Sequence, residues 1–145
     1  MNEETRTTDL LNSLKTIHTQ KELEEYLNNH TTSELNFPDY FNSYLIKHQL
    51  LLAKVITRSG LDKNYTYQIM NGTKTHPGRN KIIALCLGAN MNLKETQRCL
   101  KLSKNASLYP KDTHDAIIIT HINNEQWNIP EINIELDNLN LELIG

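Results

Sequence analysis

The chain has 145 residues and a mass of 16.8 kDa, which suits one domain with a core of its own, or a domain carrying an arm. Apolar residues make up 38% and charged residues 22%, a globular composition that excludes disordered and fibrous classes. A net charge of −2 excludes a globally basic, histone-like binder. No run approaches the roughly 20 apolar residues that span a bilayer, so no membrane segment is expected. The start, MNEETRTTDLL, lacks the basic opening and apolar run of a secretory signal. Two cysteines in such a chain read as reduced thiols and a cytoplasmic location.

In chain order, Leu10, Leu11, Leu14 and Ile17 recur at helical spacing behind a cap at Thr8 or Asp9. Residues 19–22 have capping-box spacing, with Leu23, Tyr26 and Leu27 as the stripe that follows. A polar break at 28–33 leads to Asn36-Phe37-Pro38-Asp39, a helix start with proline in its first turn. Tyr40, Phe41, Tyr44, Leu45 and His48 give its inward face. The spacing predicts helices over 51–59, 63–71 and 79–89, with Gly60, Gly72 and Asn90 able to take the left-handed conformation after each. Asn92 opens another helix, carrying Leu93, Thr96, Cys99, Leu100 and Leu102. Beyond the Tyr109-Pro110 break, a helix is expected over 111–126. Pro130 opens the last one, with Ile132, Leu136, Leu139 and Leu143 as its stripe. Ile132, Ile134 and Leu136 also alternate as a strand would, but only 116–120 offers a partner strand, so helix is preferred.

Charge divides the chain unevenly. Residues 1–47 are net −4 and residues 82–145 net −3. Between them Lys54, Arg58, Lys63, Lys74, Arg79 and Lys81 face one acid, Asp62, a net of +5. Such an island suits a polyanionic partner; the plainer alternative is chance clustering on a solvated face.

The island contains a helix, Ser59-Gly60-Leu61, and a second helix. A helix-turn-helix needs a glycine for the turn, apolar residues beside it, and a polar outer face on the second helix. Gly60 supplies the first requirement, and Val55, Ile56, Leu61 and Ile69 the second. Asn64, Tyr67, Gln68 and Asn71 fall at i, i+3, i+4 and i+7, one stripe of the second helix, while Leu61, Tyr65, Thr66 and Ile69 turn inward or to the flank. Asp62 stands at the cap. Asparagine and glutamine suit bidentate pairing with adenine in the major groove, and tyrosine suits a phosphate or a thymine methyl. Lys63, at the helix start, can reach a phosphate or a guanine. The base-reading candidates are therefore Lys63, Asn64, Tyr67, Gln68 and Asn71. Against them stands a merely solvated face, which would favour glutamate and lysine over this acid-free set.

Several motifs carry a resemblance. Gly60 and Gly72 stand twelve residues apart; Pro77 follows, then Ile82, Ile83, Leu85 and the small Cys86. The second helix reads Tyr65-Thr66-Tyr67-Gln68-Ile69, and downstream come Leu108-Tyr109-Pro110-Lys111-Asp112 and Asp115-Ala116-Ile117-Ile118. In this order they resemble the Xre/Cro group of lambda-repressor-like helix-turn-helix regulators. The resemblance implies an all-α fold: a helix-turn-helix DNA-binding domain over 36–104, an N-terminal helical arm over 1–35, and a C-terminal helical extension over 105–145. It implies sequence-specific transcriptional regulation on double-stranded DNA, with phosphate contacts from Lys74, Arg79 and Lys81, and no catalysis or cofactor. One short helix reads few base pairs, so a homodimer on a two-fold site fits the same reading. The chain departs from the group at Leu50, Leu51 and Leu52, where a capping hydroxyl is usual, and at Ile56 and Thr66. An exposed leucine trio, or the terminal helices, would instead serve a non-catalytic adaptor that binds another protein.

Other chemistry is sparse. His18, His30, His48, His76, His114 and His121 lack a completing ligand set, so no metal site is expected. Cys86 and Cys99 read as buried apolar residues. Asp112 and Asp115 read as helix cap and surface, Trp127 as a core or interface anchor, and Ile117 to Ile119 as a packed helix centre. No phosphate-binding glycine loop or hydrolase signature occurs.

Overall fold

A computed structural model describes Lys21 and residues Asn36–Gly145; the helices expected near Leu10 and Leu23 lie outside the described residues. Asn36–Gly145 form one compact unit, all-helical and without a strand among the described residues. The segments 36–104 and 105–145 therefore share a single core.

Helix α1, Phe37–Lys47, starts where Asn36 Oδ1 accepts the Asp39 amide and Pro38 fixes the first turn. It buries Phe37, Phe41, Tyr44 and Leu45, and the Tyr44 hydroxyl donates to Ala89 O at 3.0 Å. His48, expected on the inward face, is exposed because the helix has already ended at Lys47. Gln49 then turns through positive φ and the Leu50 amide returns to Leu45 O.

Helix α2, Leu52–Ser59, follows without a side-chain cap, since Leu51 has no acceptor to offer. The leucine trio is not uniformly exposed. Leu50 and Leu52 pack half-buried on the core, and Leu51 alone is 64% exposed. Ser59 folds its hydroxyl onto Ile56 O and accepts the Leu61 amide, so the turn that follows is braced from within. Gly60 takes φ 72°, a conformation that strains a residue with a Cβ, and the turn ends at Asp62, which caps helix α3, Lys63–Met70.

Helix α4, Arg79–Gly88, is the centre of the unit. Every residue from Ile82 to Gly88 is buried, leaving no polar face to signal its period. Its most extensive contact is with α2. There Gly88 permits the approach, because a Cβ at this position would lie 2.7 Å from Val55 O.

Helix α5, Leu93–Leu102, opens with a complete capping box between Asn92 and Glu95, as the spacing predicted. It packs on α1 and α4. Helix α6, Thr113–Asn123, is capped by Asp112 and buries Ile118 and Ile122, with Ile117 and Ile119 packed at its edge. Helix α7, Ile129–Asn138, buries Ile132 and Leu136, one turn apart, and leaves Ile134 exposed. That settles the period ambiguity in favour of helix. The stripe does not continue as expected, however. The helix ends at Asn138, Leu139 and Leu143 are exposed, and Ile144 is buried instead. Asn133 explains the change: its side chain accepts the Ile144 amide at 2.8 Å and donates to Ile144 O at 3.1 Å, latching the tail to α7. Trp127 anchors the α6–α7 connection by donating to Met91 O at 2.9 Å. No helix among the described residues is long and apolar enough to cross a membrane.

Candidate functional site

Two side chains fasten α3 inward. Ile69 is buried in the core, and Thr66, fully buried, returns its hydroxyl to Asp62 O at 2.9 Å. Asp62 Oδ2 accepts the Tyr65 amide at 2.8 Å, closing the first turn. With that face fixed, helical geometry sends Lys63, Asn64, Tyr67 and Gln68 outward, and all four are exposed. Asn71, the C-cap, is also exposed, and its Oδ1 accepts the Thr73 amide at 2.9 Å, which leaves its amide nitrogen as the free end. Asn64 and Gln68 side chains have no hydrogen-bond partner among the described residues. Among the described residues, no carboxylate stands on the outward face of α3.

Around this strip the lysines do not hang free. The Lys63 ammonium lies 5.9 Å from the centre of the Tyr67 ring. The Lys74 and Lys81 ammoniums lie 6.0 and 5.7 Å from the centre of the Tyr65 ring. Lys74 sits on the loop after α3, which is closed by its own amide bonding Gln68 O and by Gly72 at φ 86°. Lys81 sits in the first turn of α4. Gly78 caps that helix with backbone only, and the Arg79 and Asn80 amides have no acceptor among the described residues. Tyr65, read from sequence as an inward or flank residue, is thus half-buried and carries two cations.

Arg79 behaves differently from Lys74 and Lys81. Its guanidinium makes a two-pronged pair with Asp115, at 3.0 and 2.7 Å, and also donates to Ala106 O and Ser107 O. Those four bonds use four of the five guanidinium N–H groups, so Arg79 clamps the start of α4 to α6 and to the connecting loop rather than facing outward with the lysines. Asp115, read from sequence as surface or cap, is 4% exposed; Asp112 is the cap. Burial on its own would raise the Asp115 pKa. Hydrogen bonds from Arg79, His114 and the Tyr109 amide outweigh it and bring the carboxyl down to about 2. Sequence reasoning missed this clamp because the partners are 36 residues apart and neither belongs to a local motif.

A cleft of about 560 Å³ opens beside the clamp, lined by the start of α4, the start of α6 and the tail. Asp112, His114 and Asp115 place ligand-type atoms within 4.8 Å of one another there. The Asp115 oxygens are already occupied by Arg79, His114 and the Tyr109 amide, so the trio is a hydrogen-bonded corner of the fold. Cys86 and Cys99 are free and fully buried; Cys99 Sγ lies 3.6 Å from Met91 Sδ, and burial pushes the Cys86 thiol up. Comparison with protein-family models, with curated proteins and with solved structures finds no match to the chain.

Proposed function

We propose that the chain is a sequence-specific DNA-binding regulator of the Xre/Cro helix-turn-helix type, with α2 and α3 as the unit and α3 lying in the major groove. One observation carries the reading: an outward strip of Lys63, Asn64, Tyr67, Gln68 and Asn71 without a single acid, rimmed by Lys74 and Lys81. Amide side chains in such a strip pair bidentately with adenine, and Lys63 reaches guanine or a phosphate at the groove's edge. Lys74, Lys81 and the open amides at the start of α4 hold the backbone and fix register. Arg79 contributes indirectly, by fixing where α4 begins. A helix of eight residues reads few base pairs, so two copies on a two-fold site make the binding unit.

The test is fluorescence anisotropy with a random-sequence duplex at low and moderate salt, followed by selection of bound duplexes from a random pool. The expected result is binding that weakens steeply with salt, and enrichment of one two-fold motif. No binding at low salt overturns the reading. Binding without enrichment overturns the sequence-specific part of it.

A second reading, an adaptor that docks another protein, is favoured by Ile46 at 78% and Leu51 at 64% exposure, on either side of the turn between α1 and α2. It calls for an apolar partner surface at that corner and for weak or no duplex binding without an enriched motif, so the same titration and selection separate the two.

A further inference from the structure

We infer that Tyr65 is a positioning residue for the cationic rim: its ring holds the Lys74 and Lys81 ammoniums beside α3, ready for phosphates. This rests on the duplex-binding reading and adds a residue to it. The two lysines come from separate parts of the chain, the loop after α3 and the first turn of α4, yet both ammoniums stand within 6.0 Å of one ring centre. Neither pairs with a carboxylate among the described residues. Two like charges gathered on a neutral ring repel one another, and an anion between or beside them relieves that repulsion.

The ring is a fixed platform. Tyr65 packs half-buried on the core, and its amide is held by Asp62. Lysine side chains are long and lose rotamer freedom on ordering, so a surface that orders them beforehand lowers the cost of ordering at binding. The attraction comes from the electron-rich ring face, not the hydroxyl. Phenylalanine therefore replaces tyrosine here and leucine does not, although leucine keeps the apolar packing.

The experiment uses the full chain. In the NMR spectrum of the free wild-type protein, the Lys74 and Lys81 ε-methylene protons are expected upfield of exposed lysines, shifted by the ring, and shifted back in Tyr65→Leu. In anisotropy with a labelled random-sequence duplex, Tyr65→Phe is expected within about twofold of wild type. Tyr65→Leu is expected to bind about two- to fivefold more weakly, the size of an exposed cation–π contact. Its salt slope is also expected to be shallower, which a purely structural role of the ring would not produce. Unshifted ε-methylene protons in the wild type overturn the inference, whether or not the leucine variant folds. So does a folded Tyr65→Leu that binds like wild type while Lys81→Ala binds weakly; that result leaves the duplex reading standing. Wild-type protein that shows the ring shifts and binds no duplex at low salt sinks the duplex reading, and the assigned role with it.

Discussion

Gln68 and Lys81 illustrate how two exposed polar side chains differ in consequence. Gln68 projects from the middle of α3 with no side-chain partner among the described residues, so under the proposed function its amide meets one base edge. Gln68→Ala is expected to relax preference at one position of the selected site, at a cost of about 1–3 kcal/mol there and little on unrelated duplexes. Lys81 sits at the rim, over the Tyr65 ring. Lys81→Ala is expected to weaken every duplex alike and to flatten the salt dependence by about one unit of slope. Parallel titrations on selected and random duplexes check both, and equal losses for both variants on every sequence would defeat the assignment of roles. Much of this strip was legible in the sequence, because i, i+3, i+4 and i+7 spacing fixes a face once Asp62, Thr66 and Ile69 fix its opposite. The lysine–tyrosine contacts were not legible: they join a loop, two helix starts and a ring, and no periodicity connects them. Arg79 was the harder case. As a cation in a basic island it suited a phosphate contact, and only the fold brings Asp115 to it.

Helix starts were the most readable features, and the reason is chemical. Asn36, Asp62, Asn92 and Asp112 each accept an amide of the turn they open, so side chains adjacent in sequence mark the boundary; Asn128 does the same for α7, whose start the sequence signalled only through Pro130. The apolar stripe beyond Asn138 was misread because Leu139 and Leu143 keep the helical interval while Asn133 draws the chain back on itself. The central helix α4 carried a different kind of hidden information. Gly88 reads in sequence as a weak helix residue, whereas in the fold it is the point at which α2 and α4 touch backbone to backbone. An alanine there would set its Cβ 2.7 Å from Val55 O and 3.2 Å from Ser59 N, neither of which can swing aside. Gly88→Ala is expected to destabilise the chain by about 1–3 kcal/mol, read as a lower urea midpoint. It is also expected to displace α2 and the turn at Gly60, so duplex affinity falls with it. A midpoint equal to wild type would mean that the two helices part without cost.

The unit as a whole is tied by the clamp between Arg79 and Asp115, and pH tests that tie. The Asp115 carboxyl titrates at about 2 in the folded chain against 3.8 as its unperturbed value. Because the folded value is the lower one, the unfolded chain binds the proton first as pH falls. The stabilisation is complete above about pH 5 and drains away towards pH 2, about 2 kcal/mol in all. Asp115→Asn should remove that part of the acid dependence, with a lower plateau at neutral pH because Arg79 is left unpaired. Urea midpoints between pH 7 and pH 2, followed by the fluorescence of the single tryptophan, Trp127, check it; parallel acid profiles for the two proteins would contradict the role given to the clamp. The two thiols extend the same point. Cys86 and Cys99 lie at the heart of α4 and α5 with no exposed surface, so an alkylating reagent reaches sulfur only when the packing around these two helices opens. The rate of that reaction is a clock for transient opening, independent of any nucleic acid and readable by mass.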